Sequence, residues 1–313
     1  MIRRSANTLG SYADDVVMRG MPLFGLFPGN VYWVDSGGGG SSKGTFKSPV
    51  ATLTEGIALC TANNGDYIMI KPGHSETITG AGGITMDKAG VSVVGLGQYD
   101  DRPAFLMDGS AAVTMLVTAA NCAIYNCVFR SGHAAITTFC TISAKGCLFD
   151  SCLFEENVTG EEFIAVFKTS ATAYAADGLE LINNTLNFDD ATGTTLPINL
   201  LAHSRDVKII GNTIIGDFAS TYEAIYSATA SFHHFNIEVA YNKIFTHHDA
   251  SVICITIGST TSTGFIHNNY AKGEDDAGAT PFITGADGLG LFDNLWVGDA
   301  DASGALYPAV GDI

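Results

Sequence analysis

The stretch Lys208–Phe218, KIIGNTIIGDF, places two apolar, β-branched runs on either side of Gly211-Asn212 and closes on Gly216-Asp217. Read alone it is a β-hairpin, since Ile favours strands and Gly or Asn tolerates a left-handed turn. Read against the rest of the chain it is one unit of a series: VSVVGLG, AIYNCVF, LFDSCLF, ELINNTLNF, EVAYNKIF, FIHNNYAKG and LFDNLWVGD share its outline. Anchored on Leu96, Asn126, Ser151, Asn184, Asn212, Asn242, Asn268 and Asn294, the units recur at spacings of 30, 25, 33, 28, 30, 26 and 26 residues. A period of this length with one strand and one Asn turn is a solenoid signal. Helical repeats need amphipathic helices, whereas these units are rich in β-branched residues, Gly, Thr and Asn. The sequence therefore predicts an all-β fold, a right-handed parallel β-helix.

Relative to the anchors, two columns are predicted to face inward. One is Ala123, Leu148, Leu181, Ile209, Val239, Phe265 and Leu291; the other is Val128, Leu153, Leu186, Ile214, Ile244, Tyr270 and Trp296. Glu180, Lys208 and Glu238 fall on the outward side of the same strands, and the Asn anchors stack at the corner between two strands. Ahead of the repeats, Val31–Val34 reads as a strand, 37–44 as a Gly-rich loop and 51–61 as a helix. Such a helix suits the open end of a β-helix, where strand edges and core would otherwise be exposed. Residues 1–29 read as an extended arm, because Pro22, Gly25 and Pro28 break up the apolar Met21, Leu23, Phe24, Leu26 and Phe27. Residues 30–313 form the solenoid with its cap.

Composition narrows the function classes. A net charge of −17 disfavours phosphate-backbone partners, so no nucleic acid is expected. No run of about 18 apolar residues exists to cross a membrane, and the N-terminus lacks the apolar core of a secretory signal. Seven cysteines, an odd number, argue against an obligatory disulfide framework. Cys122, Cys127, Cys147 and Cys152 are placed on an outward face that carries charged residues in later coils, which predicts that this face is covered in the early coils. Arg3, Arg4 and Arg19 make the arm weakly cationic, and with its apolar residues it is a candidate contact to another subunit or surface.

Three constellations could carry chemistry. Glu156, Asp189 and Asp217 each lie five residues after an anchor, and carboxylates on neighbouring coils suit the separation of about 5–9.5 Å that glycosidases use. Asp and Gly are also what a solvated turn selects, and that reading weighs more. His203 and His233, both nine residues before their anchors, are expected to stack; with no third ligand they read first as a polar ladder and second as a metal pair. Arg102, Arg130 and Arg205 are the only coil arginines that could serve as a lyase base, and none aligns with an Asp cluster.

The DSG-rich loop, SPVATL, a helix and then GDYIMIKPGH resemble the entry to pectin-lyase-like right-handed parallel β-helices, and Asn30–Thr79 is similar to β-helix proteins of tailed bacteriophages. That resemblance implies a structural virion protein, a homotrimer decorating the capsid exterior and bound to the major capsid protein through its N-terminal part, made in the host cytoplasm and needing no cofactor. The alternative it implies is a tailspike-like protein that binds or degrades host surface polysaccharide. Tailspikes resemble longer chains with a separate head and trimerisation domain, and the coils here run nearly to the terminus.

Overall fold

The computed structural model describes residues 17–18, 21–22, 29–39, 42–188, 196–216, 224–227, 232–246, 253–258, 261–272, 283–284, 288–297 and 304–306. Three long sheets wind around one core. The first has ten strands from Val31–Val34 to Gly290–Phe292, the second ten from Ser75–Thr79 to Gly304–Leu306, and the third eight from Ile84–Met86 to Ile283–Thr284. Successive strands of each sheet are parallel and come from successive coils, as in Leu148 beside Glu180, Glu180 beside Lys208 and Lys208 beside Glu238. The exception within these sheets is Gly304–Leu306, which runs antiparallel to Asn294–Val297. KIIGNTIIGDF is one corner of this parallel solenoid: Lys208–Ile210 belongs to the first sheet and Thr213–Gly216 to the second.

Two adjacent residues build that corner, with different tasks. The first takes the left-handed conformation that turns the chain: Asn126, Ser151, Asn183, Gly211, Tyr241, Asn268 and Asp293 all have φ between 54° and 70°. Gly, Asn and Asp tolerate this region at least cost. The second points inward. Asn184, Asn212, Asn242, Asn269 and Asn294 are buried, and each Oδ1 accepts the backbone N–H of the equivalent residue one coil earlier at 2.9–3.1 Å. Each Nδ2 donates to a carbonyl of that earlier coil, as Asn212 Nδ2 does to Leu181 at 2.8 Å. The ladder thereby satisfies amides that the bend removes from the sheets.

This assigns the anchors to two columns. Asn126, Ser151 and Asn268 are left-handed corner residues, whereas Asn184, Asn212, Asn242 and Asn294 are ladder residues. The inward columns shift accordingly. Leu181, Ile209, Val239, Leu186, Ile214 and Ile244 are buried as expected, but in the early coils the buried residues are Ile124, Phe149, Phe129 and Phe154, one position later than expected. Of the early expected set, Val128 is buried while Ala123, Leu148 and Leu153 are only partly so. In the coil of Asn268 the core takes Ile266 and Ala271, and Phe265 and Tyr270 turn outward. The cysteines are corrected by the same slip. Cys127 and Cys152 occupy the ladder column itself, and all seven cysteines are free and buried, so their polarity says nothing about a covered outer face.

The core is one contiguous cluster along the solenoid. Phe105, Phe129 and Phe154 stack coil on coil with centroids 5.2 and 5.4 Å apart, and Phe139, Phe163, Phe167 and Phe188 fill the same middle coils. The N-terminal end is closed by helix α1, Leu53–Leu59, shorter than the predicted 51–61. Thr52 and Glu55 form a capping box that starts it, and the extended Cys60 stops it. Leu53, Gly56 and Ile57 lie on the first coils, and a Cβ on Gly56 would stand 2.9 Å from Val34. Asp66, buried, ties this cap together by accepting from Asn30 N–H, Thr61 N–H and Asn64 Nδ2 at 2.6–2.7 Å. The described part of the arm is a short antiparallel pair, Val17–Met18 with Met21–Pro22. Arg3, Arg4, Arg19, Leu23, Phe24, Leu26 and Phe27 lie outside the described residues, and of Met21 only the backbone is described.

Candidate functional site

The acidic column does not hold together at its first link. Glu155 pairs with Asn187, which sets Glu156 level with Phe188 and not with the position after it. Glu156 accepts the Gly160 N–H at 3.2 Å and so helps shape its own loop. Asp189 and Asp217 lie outside the described residues. A second carboxyl in this region, Glu162, was not singled out by sequence spacing. Glu162 is 8% exposed; burial raises its pKa and the charge of Glu156 adds to the rise, against the lowering pull of the Glu162 and Ala135 backbone amides.

The three arginines are engaged structurally. Arg102 Nη2 donates to the carbonyls of Cys127 and Ser151 at 3.0 and 2.8 Å, stitching the early corner where cysteines replace ladder asparagines. Arg130 pairs with Glu155 at 2.7 Å, and Arg205 lies 4.2 Å over the Tyr174 ring.

His203 and His233 stack as expected, centroids 4.9 Å apart. They belong to a polar ladder: Tyr174 stacks on His203, His203 Nδ1 accepts the His233 N–H at 2.9 Å, and His233 Nδ1 contacts the Thr261 hydroxyl. No group of three or more His, Cys, Asp or Glu side chains is placed to hold a metal among the described residues. The next residue, His234, points inward and is fully buried. Its Nδ1 meets Ser204 Oγ at 2.7 Å and its Nε2 meets Ser227 Oγ at 2.6 Å. Burial, with His203 and His233 nearby, lowers its pKa to about 4, so at neutral pH it is an uncharged hydrogen-bonding strut.

The outer face of the first sheet carries a different feature. Its middle coils bear the charge ladder Glu180–Lys208–Glu238, with Lys208 Nζ on Glu180 at 2.7 Å; that hydrogen bond, followed by the charge, raises the lysine pKa. Towards the C-terminal end the ladder gives way to aromatics. Tyr241, Phe265 and Phe292 are 58%, 52% and 43% exposed. His267 stacks on Phe292 with centroids 4.6 Å apart and planes 6° from parallel, Tyr241 meets His267 edge-on, and Phe265 packs edge-on to Phe292. Glu238 Oε1 and Asn268 Oδ1 approach the two His267 nitrogens at 3.4 and 2.8 Å. The fold builds this cluster by stacking: Phe265 and His267, two apart on one strand, share a face, and the next coil sets Phe292 level with His267 and Gly290 level with Phe265. The sequence reading missed it because Phe265 was counted as core. Anchoring that coil on Asn269 instead of Asn268 turns Phe265 and His267 outward and would have found it.

Exposed rings beside carboxylate and amide oxygens can stack on the apolar face of a flat, hydroxylated ligand while accepting its hydrogen bonds. Around the corner, the second sheet presents exposed Lys243 and Lys272 next to Phe245 and Tyr270, whose rings are 5.8 Å apart.

No protein-family model matches the chain, and no curated protein does. Solved structures do. A rhamnogalacturonan lyase matches over 90% of this chain and 90% of its own, at 12% identity and a TM-score of 0.42. The GH136 lacto-N-biosidase from Eubacterium ramulus matches over 87% of this chain and 64% of its own, at 11% identity and a TM-score of 0.51. This chain therefore spans less than two thirds of the lacto-N-biosidase chain, and at such identity the likeness concerns the fold. With three parallel sheets, an inward Asn ladder and a helical cap, that fold is a parallel β-helix.

Proposed function

We propose that the protein binds polysaccharide, through the aromatic cluster on the C-terminal coils of the first sheet. The observation that carries this reading is the exposure of Tyr241, Phe265 and Phe292 beside the acceptors of Glu238 and Asn268. A soluble β-helix gains nothing in folding by leaving three large rings in water, and a concentrated apolar patch marks an interaction surface. Of the partners expected from the sequence, host surface polysaccharide suits this chemistry. The capsid-decoration reading depends on arm residues outside those described and draws no support from the fold or the comparisons, so it is not carried forward.

Co-sedimentation with insoluble polysaccharides and affinity electrophoresis in soluble ones test the proposal. Retention that Tyr241→Ala and Phe292→Ala both weaken supports it; retention unchanged by either, or none on any polysaccharide, refutes it. Glycoside hydrolysis is a second reading, favoured by the buried Glu162, whose pKa burial and the Glu156 charge raise, and by the fold shared with a protein named as a lacto-N-biosidase. Release of reducing ends that Glu162→Gln abolishes would support it, and no release from any polysaccharide that the protein retains would remove it.

A further inference from the structure

From the charges around the aromatic cluster we infer that its ligand is a neutral glycan and not a uronic-acid or sulfated one. This rests on the polysaccharide reading above and adds the substrate class. The outer face of the first sheet from Asp150 onward carries the carboxylates of Asp150, Glu180 and Glu238 against one ammonium, Lys208, which Glu180 already holds at 2.7 Å, and Asp293 stands at the corner that follows the last of these strands. Glu238 reaches the cluster through His267 at 3.4 Å, and Asp293 adjoins Phe292 in the chain. These carboxylates do two things to a sugar chain.

Ionised, they only accept hydrogen bonds, so they suit hydroxyl and N-acetyl N–H donors. They also repel a polymer that carries a carboxylate or sulfate on each unit, and the whole chain, at −17, adds to that repulsion. The rings supply the complementary part, since the C–H face of a pyranose is apolar whether or not the sugar is charged. The competing surface is the one around the corner, where Lys243 and Lys272 are exposed next to Phe245 and Tyr270 and would suit an anionic glycan. Because the two surfaces have opposite charge preferences, salt and mutation distinguish them.

The test is affinity electrophoresis of the full chain in gels containing a neutral polysaccharide (a galactomannan or a β-glucan) or a polyuronate, each at about 50 and about 500 mM NaCl. The expected result is retardation by a neutral polysaccharide that is insensitive to salt, loses about tenfold in affinity with Tyr241→Ala or Phe292→Ala, and survives Lys243→Ala with Lys272→Ala. Retardation only by polyuronate, weakened by salt and abolished by the double lysine variant, overturns the neutral class while leaving polysaccharide binding intact. Binding to neutral polysaccharide that the aromatic variants do not change overturns the site. No retardation by either polymer refutes polysaccharide binding itself. All four substituted side chains are exposed, Tyr241 at the corner and Phe292, Lys243 and Lys272 on outer faces of the sheets, and unchanged circular dichroism of each variant confirms that the solenoid is intact.

Discussion

Asn212→Ala tests the corner on which the whole fold turns. The side chain makes four hydrogen bonds: Nδ2 to Leu181 O at 2.8 Å and to Asn242 Oδ1 at 3.0 Å, and Oδ1 from the Asn184 N–H at 2.9 Å and Asn184 Nδ2 at 3.1 Å. Truncation strips the Asn184 N–H of its acceptor in a buried site, while Asn184 Nδ2 keeps Phe149 O and Asn242 Oδ1 keeps the Asn212 N–H. An orphaned buried amide costs about 1–3 kcal/mol and the three other lost side-chain bonds about 1 kcal/mol each, so the expected loss is about 4–6 kcal/mol. Asn183, the preceding residue in the neighbouring coil's corner, provides the contrast. It turns the chain at φ 55° and its side chain has one long contact, to Asp150 at 3.5 Å. Asn183→Gly should therefore fall within about 0.5 kcal/mol of the parent. Urea unfolding ranks the two variants, and hydrogen exchange at the Asn184 amide reads the local effect, which matters because solenoids unfold in segments. A loss below about 1 kcal/mol for Asn212→Ala, or a larger loss for Asn183→Gly, would refute the two-column reading of the corner.

Acid should weaken the fold through His234. Its folded pKa of about 4 lies below the unbound imidazole value of 6.5, so the unfolded chain takes up the proton first and stability falls as pH drops from about 6.5 to about 4, by at most about 3 kcal/mol. His234→Gln should flatten that part of the urea-midpoint profile against pH; an unchanged slope contradicts the assignment. The thiols should be silent in the native protein. Burial raises every cysteine, Cys60, Cys147 and Cys152 to about 12, so a disulfide reagent should titrate none of the seven until urea unfolds the chain. Asp66→Ala should loosen the cap by about 3 kcal/mol or more, since the carboxylate gathers three donors from Asn30, Thr61 and Asn64; rapid amide exchange in α1 with the later coils still protected is the expected signature.

The fold was legible in the chain because its physics is periodic. Apolar alternation in Lys208–Ile210 and Thr213–Gly216, joined by a Gly-Asn bend and repeated at coil spacing, admits few structures besides a parallel solenoid. The capping helix was legible over residues 51–61, and the reciprocal bonds of Thr52 and Glu55 that start it are local. The stacking of His203 on His233 followed from spacing alone. What the repeat could not resolve was which of two adjacent positions a given Asn occupies. Asn suits both the left-handed corner and the buried ladder, so Asn183-Asn184 and Asn268-Asn269 fit either way, and Cys127 and Cys152 disguise the ladder in the early coils.

Only the tertiary structure settles that choice, because it depends on whether the next coil offers an amide to accept and a core to fill. Once the choice is made, a shift of one residue reverses every side chain on the strand. That reversal moved the cysteines into the core, separated Glu156 from the column expected for it, and put Phe265 and His267 on the surface beside Phe292. The sequence by itself determined a β-solenoid with one corner of asparagines. Its tertiary packing decided which rings face water, and with them the surface proposed to bind a glycan.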